Sequence, residues 1–355
     1  MIRSRFFIKN TLKIMCQTAQ FMVQLKKEAG QKHTNFSFSA LICTVLQICI
    51  SEGILKAVKG FRPRLEDSMA NATKSVAAIH DLSGYGRCSL AVILPILSVM
   101  GIQAVAVPTA VLSTHTGGFG DVTMQDLTGY IPQALSHYRK IGIDFDCIYT
   151  GFLGSKEQIS HCLHFFDAYP EALKVVDPVM GDDGKAYRTY TKEMCSSVVQ
   201  LVRRANLITP NKTEMYMLLN QEFDPAPLSA SQAKRCLLKL SELGPSQVVV
   251  TGIELADMTI ANIGYDRDSN AFWRVKCCYV PQNYPGTGDA FASILVGSLL
   301  DGDSLAIAME RATRFLELAI KTTYSYGTDP RQGIMLEKNL GWLIERHSLD
   351  EYESL

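Results

Sequence analysis

From residue 75 onward, short apolar and β-branched runs alternate with longer stretches whose apolar residues recur every three to four positions. The runs Ser75–His80, Ile102–Val107, Phe145–Thr150, Lys174–Asp177, Ala205–Ile208 and Gln247–Thr251 predict strands. Between them, Ser89–Val99, Asp126–Lys140, Lys156–Ala168, Lys192–Arg203 and Ser231–Leu243 predict helices. Regular β-α alternation predicts an α/β fold with a mainly parallel central sheet covered by helices on both faces. Thr259–Tyr265 and Ala271–Val280 alternate apolar and polar residues more strictly, which predicts an antiparallel addition. Three helices, Asp289–Leu300, Ser304–Tyr324 and Gly333–Glu345, complete the pattern.

Each predicted parallel strand runs into a polar or glycine-rich segment. These are Asp81-Leu-Ser-Gly-Tyr-Gly, Ser113-Thr-His-Thr-Gly-Gly, Thr150-Gly-Phe-Leu-Gly, Asp177-Pro-Val-Met-Gly-Asp-Asp-Gly, Thr209-Pro-Asn-Lys-Thr-Glu and Thr251-Gly. Any one of them reads as an ordinary turn. Six at the carboxyl edge of one sheet mark the place where such sheets bind ligands.

The most specific chemistry lies in Pro285-Gly-Thr-Gly-Asp-Ala-Phe-Ala-Ser293, directly before an apolar helical run. Gly286, Thr287 and Gly288 allow an anion close to the backbone, and the free N–H groups of the following helix point at it. Asp289, in the first helical turn, is placed to take a proton from an attacking hydroxyl while those amides hold a phosphoryl group.

Composition narrows the class. The chain has 355 residues, 47% hydrophobic and 20% charged, which suits a globular protein with a large core. Its zero net charge hides an asymmetry: residues 1–68 carry about +7 and residues 69–355 about −7. An acidic body argues against nucleic acid as a partner. The ten cysteines show no Cys-x-x-Cys spacing and read as reduced thiols in a cytoplasmic protein. His161, Cys162 and His164 lack a second ligand pair, so no metal site is expected there.

Residues 1–68 are basic and lack the strand–helix alternation. Their uncharged run, residues 36–51, is short for a membrane span and is not placed as a signal peptide. They read as an N-terminal extension outside the functional domain, a disordered arm or a mis-assigned start, with Met69 as the natural start. A membrane-surface anchor is the rival reading. The functional domain is then 69–355.

Asp177-Pro-Val-Met-Gly-Asp, Ile208-Thr-Pro-Asn-Lys-Thr-Glu and Gly286-Thr-Gly-Asp, in this order, resemble the ribokinase-like superfamily, and within it the vitamin B6 kinases. The resemblance covers roughly residues 75–330. It implies a three-layer α/β/α fold, ATP-dependent phosphorylation of the hydroxymethyl group of pyridoxal, pyridoxine or pyridoxamine, and a homodimer. Carried over by position, Asp289 is the catalytic base and Gly286, Thr287 and Gly288 form the anion hole. Asp177, Asn211 and Glu214 place Mg²⁺, with a monovalent cation as a further option. Asp182, Tyr187, Thr209, Thr251 and Gly252 fall at ATP-contacting positions, and Asp81, His115, Thr116 and Phe152 at substrate-contacting ones. Phe152 replaces a tyrosine common in B6 kinases. Asp81 stands where many of them have serine and where hydroxymethylpyrimidine kinases have aspartate, which keeps a pyrimidine kinase of thiamine synthesis as the alternative. Those enzymes usually carry cysteine where Asp289 stands. A non-catalytic vitamin-binding protein on this fold is the alternative of another class.

Overall fold

The computed structural model describes residues 73–355 apart from 189, 279 and 346. The expectations for residues 1–68 and for a start at Met69 lie outside the described residues. Twelve strands occur among the described residues. They are β1 (Ser75–Tyr85), β2 (Gln103–Thr114), β3 (Met124–Asp126), β4 (Cys147–Thr150), β5 (Leu173–Val176), β6 (Gly181–Asp182), β7 (Lys185–Ala186), β8 (Leu207–Ile208), β9 (Gln247–Glu254), β10 (Ile260–Asp266), β11 (Ala271–Cys277) and β12 (Tyr352–Ser354). Ten of them form one sheet in the order β12-β11-β10-β9-β8-β5-β4-β1-β2-β3. The contiguous strands from β9 to β2 pair in parallel, and the outer strands are antiparallel additions.

Strand side chains alternate between two layers. From β1, Ala77 and Ile79 enter one core, and Val76 and Ala78 enter the other. The first core is closed by α2 (Tyr130–Ile141), α3 (Lys156–Ala168), α4 (Lys192–Val202), α5 (Lys212–Leu218) and α6 (Ala230–Glu242), through residues such as Ile131, Phe165, Val198, Met215 and Leu237. The second is closed by α1 (Leu90–Val99), α7 (Thr287–Leu300) and α8 (Leu305–Tyr326), through Ile93, Leu295 and Phe315. Helix α7 is apolar on nearly every side and is buried from Asp289 to Ser298. This is the predicted three-layer α/β/α architecture.

Four expectations need correction. Residues 126–129 are not helical: Met124–Asp126 forms edge strand β3, and α2 starts only at Tyr130, after Gly129. The Gly333–Glu345 helix is broken into a four-residue α-helix, α9 (Leu336–Asn339), and a 3₁₀ turn (Leu340–Ile344). Strand β1 continues to Tyr85, so Asp81 lies within the strand rather than beyond it. Its pairing with β2 slips between His80 and Leu82, opposite Pro108, Thr109 and Ala110. Proline has no N–H for the ladder, and such an irregularity re-aims side chains. Finally, residues 181–186, within and just after a segment read only as a turn, form a β-hairpin, β6–β7. Asp183 (φ 50°) and Gly184 (φ 74°) turn it, and the Gly184 N–H donates to Thr213 Oγ1 at 2.9 Å, pinning it to α5.

The chain leaves β1 for β2 on one side and returns to β4 on the other. The carboxyl ends of β1 and β4 therefore flank the topological switch point, where open α/β sheets bind ligands.

Candidate active site

Asp289 is the third residue of α7. Its carboxylate is buried, and Oδ2 accepts the Ser89 N–H at 2.7 Å and the Cys88 thiol at 3.4 Å. Ser89 holds φ at 58°, a conformation rare outside glycine, and this turns its amide toward Asp289. Asp289 Oδ1 lies 3.0 Å from His80 Nε2, an ion contact in which the ring N–H is not aligned with the oxygen. His80 Nδ1 lies 2.8 Å from Asp81 Oδ1, and Ser83 Oγ donates to Asp81 Oδ2 at 3.1 Å. Burial alone would depress the His80 imidazolium, but the Asp289 and Asp81 carboxylates outweigh it and raise it to about 10. Burial would likewise push Asp289 up, yet the His80 charge and the Ser89 amide hold it below the ordinary carboxylate value. Asp289 is therefore ionised at neutral pH.

The helix start beside it is open. Gly286 adopts φ 80°, and a Cβ there would overlap the Arg87 carbonyl oxygen. A Cβ on Gly288 would meet nothing within 4 Å. The first amides of α7 have no acceptor within the helix, so the space at Gly288 fronts free N–H donors. Thr287 Oγ1 donates to Tyr284 O at 3.0 Å, which leaves its backbone rather than its hydroxyl for an anion.

A second group of predicted residues gathers at the ends of β5 and β8. Glu214 Oε1 accepts the Met180 N–H at 2.8 Å and Oε2 the Asn211 N–H at 2.9 Å, while Asn211 Oδ1 accepts the Glu214 N–H at 2.9 Å. This is a capping box at the start of α5. Asn211 Nδ2 donates to Gly181 O at 2.8 Å, so both ends of its amide are used within the protein. Val179, at φ 43°, is strained for a β-branched residue and precedes the Met180 amide that binds Glu214. Asp177 is buried beside the Thr209 hydroxyl; burial, then Glu214 and Asp289, push its carboxyl well above the usual range. Burial raises Glu214 from 4.5 to about 7 against the amides of Asn211, Met180 and Gly181.

Two buried carboxylates with raised protonation, Asp177 partly through the Glu214 charge, form a donor set suited to a hard divalent cation. Among the described residues, no group of three or more His, Cys, Asp or Glu side chains is gathered for a metal. Mg²⁺ fits a pair of carboxylates completed by water and phosphate oxygens.

The remaining predicted residues divide. Thr251 pairs with Asn211 in a parallel bridge and its N–H donates to Pro210 O, which brings β9 to the same edge. Gly252 takes φ 65° and donates to Asn262 Oδ1. Asp182 lies on the hairpin and is exposed. Tyr187 follows the hairpin; burial and the nearby Glu214 and Asp182 carboxylates raise its phenol. Phe152 packs edge-on to Tyr190, and Gly151 before it leaves room for the His80 ring. His115 is committed: Nε2 donates to Arg331 O at 2.6 Å, and Nδ1 accepts the Gly117 N–H at 3.1 Å. It anchors a loop over Gly86 and has no nitrogen left for a ligand. Thr116 is exposed on that loop.

The sequence reading missed His80, Cys88, Ser89 and the cap of Tyr85, Phe119 and Arg331. Tyr85 and His115 both meet Phe119 edge-on, and Arg331 lies over its ring at 5.2 Å. A histidine beside an aspartate at the end of the first strand was the available signal for His80. Nothing local marks the others, which depend on long-range contacts.

Residues 94–333 match the phosphomethylpyrimidine kinase family, and the chain belongs to it. It is a kinase of the ribokinase-like fold. A candidate phosphomethylpyrimidine kinase from Bacteroides thetaiotaomicron, crystallised with pyridoxal, is 41% identical with a TM-score of 0.76, covering 80% of this chain and 100% of that one. The pyridoxal kinase of Lactobacillus plantarum is 30% identical with a TM-score of 0.71, over 77% of this chain and 97% of that one. The pyridoxal kinase PdxY of Deinococcus radiodurans is 25% identical over 265 residues, 72% of this chain and 89% of that protein.

Proposed function

We propose that the protein transfers the γ-phosphoryl group of ATP to the hydroxymethyl group of a B6 vitamer. The observation that carries this reading is the buried Asp289 carboxylate, fixed by the Ser89 amide beside the open start of α7. Asp289 takes the proton of the substrate hydroxyl. The amides at Thr287 and Gly288 hold the equatorial oxygens of the transferring group. Asp177 and Glu214 would hold Mg²⁺, which supplies charge neutralisation of the ATP phosphates; Asn211 acts on it through Glu214, which it fixes in place. A monovalent cation belongs to the same reading as an accessory.

Choice of the ring follows from Asp81. Its two oxygens already engage His80 and Ser83, so it is not a free carboxylate seeking an amino group. This weakens the feature that favoured a pyrimidine, and the pyridoxal-bound relative supports the vitamer. The flat surfaces of Phe152 and the Phe119 cap supply apolar contact for a pyridine. A homodimer and a cytoplasmic setting complete the reading by analogy with the family, and sedimentation of the purified chain tests the first. Among the described residues, no helix is long and apolar enough to cross a membrane. The reaction itself is tested by incubating the protein with Mg·ATP and each vitamer and identifying the product by mass spectrometry. A 5′-phosphorylated vitamer is expected; ATP turnover without phosphorylated vitamer would reject the assignment.

The carboxylate pair gives a pH prediction. Glu214 and Asp177 are raised in the folded state, so the folded chain keeps protons that the unfolded chain has lost. The ligand-free protein therefore loses stability as pH rises from about 4.5 to about 7. A cation bound to the ionised pair reverses this. Mg²⁺ with ADP is expected to raise Tm more at about pH 8 than at about pH 6. Equal increments in a thermal-shift assay would remove the pair from the metal site.

A further inference from the structure

Both nitrogens of the buried His80 ring face carboxylates, Asp81 at 2.8 Å and Asp289 at 3.0 Å. A neutral imidazole has one N–H and one lone pair; a lone pair at Nδ1 would accept the Asp81 N–H, 3.0 Å away, but would also meet the closer Asp81 carboxylate oxygen at 2.8 Å, and a lone pair at Nε2 would meet Asp289. Both carboxylates together attract the doubly protonated ring most strongly. The ring is 2% exposed, and a Cβ at position 151 would overlap it, so the Thr-Gly turn after β4 is shaped to seat it. The groups facing it are Asp81 on its own strand, Asp289 on α7 and, at longer range, Asp177 after β5. The Cys88 thiol before α1 and the Tyr149 phenol on β4 are the other titratable groups near this cluster, and both stay neutral because burial and the neighbouring carboxylates push them up. His80 is the cation that acts on Asp289.

We propose that His80 is a positioning residue of the phosphoryl transfer, an imidazolium that orients the Asp289 carboxylate, keeps it ionised among its acidic neighbours, and engages Asp81 so that this second carboxylate does not compete for the substrate. The proposal rests on the reading of Asp289 as the base. His80 itself touches no reacting atom; it acts through Asp289. Without it, burial would dominate at Asp289, and the base would protonate at a higher pH.

The test uses the full-length protein and compares the pH dependence of kcat/KM for wild type, His80→Gln and Asp289→Asn. His80→Gln is expected to lower kcat about 10- to 100-fold with vitamer KM within about threefold, and to move the acid limb up by about one pH unit or more. An unmoved limb, with or without a slower rate, overturns the proposal, since a purely structural histidine would leave it in place. Near-native turnover of Asp289→Asn would instead sink the base assignment, and the positioning role of His80 with it. A variant-free readout guards against misfolding: in ¹⁵N-histidine-labelled wild-type protein at about pH 8, one ring is expected to show two protonated nitrogens. A spectrum with only neutral imidazoles overturns the proposal.

Discussion

Asp289→Asn is expected to lower kcat by about two to three orders of magnitude while nucleotide affinity stays within about threefold. Asparagine keeps the size of the side chain and an oxygen for the Ser89 amide, which donates to Asp289 at 2.7 Å, but it cannot accept the hydroxyl proton. The magnitude separates two roles. A carboxylate that only complements the start of α7 contributes about 0.3–2 kcal/mol, and at about 1.4 kcal/mol per tenfold its loss slows turnover by roughly thirtyfold at most. Loss of a general base costs about 100-fold or more. Single-turnover rates together with ADP titration measure both quantities, and a drop of no more than about thirtyfold would leave Asp289 with the electrostatic role alone.

Gly286→Ala is the second large effect, and its contrast with Gly288→Ala is the informative part. At Gly286 the left-handed backbone (φ 80°) costs an alanine about 1–2 kcal/mol, and the new Cβ overlaps the Arg87 carbonyl. Relief requires α7 and the 87–88 segment to separate, and that segment carries the Ser89 amide on Asp289. Tm is expected to fall by several degrees and kcat/KM by about 100-fold or more. At Gly288 a Cβ enters open space, so folding is unaffected. On the proposed reading that space receives the phosphoryl group, so activity is expected to fall with Tm unchanged. A Gly288→Ala enzyme with full activity would place the anion elsewhere.

Much of this arrangement was legible in the sequence, for reasons that differ by element. Helix α3 was read with its observed bounds, Lys156–Ala168, because Ser155 caps it through Gln158 N and its apolar face repeats regularly. The antiparallel β10–β11 pair was legible from strict alternation. The turn-to-helix geometry around Asp289 was legible because Gly286 and Gly288 directly precede an apolar helical run. The β6–β7 hairpin was missed although Asp183-Gly184 is a hairpin-turn dipeptide, because its strands are two residues long and carry no apolar pattern. Strand β12 was missed because Tyr-Glu-Ser has no strand signature; it is held at the sheet edge by Glu353 ion-paired to Arg274 and Lys276, partners 77 to 79 residues away. His115 illustrates the opposite case. Its motif suggested a substrate contact, but both ring nitrogens are consumed by Arg331 O and Gly117 N, the first contact lying 216 residues away. Asp81 raised a question about the substrate ring, and its engagement by the neighbouring His80, which no local pattern announced, bears on that question.

The central claim is that this site phosphorylates a B6 vitamer rather than a pyrimidine. The most direct measurement is the ratio of kcat/KM values for pyridoxal, pyridoxine, pyridoxamine and hydroxymethylpyrimidine under identical Mg·ATP, taken in direct competition so that active-enzyme concentration cancels. The account predicts that at least one vitamer is preferred over the pyrimidine by about tenfold or more, the discrimination that one or two lost ring contacts supply. Preference for the pyrimidine would contradict it, and would mean that Asp81 reads the substrate despite its engagement with His80 and Ser83.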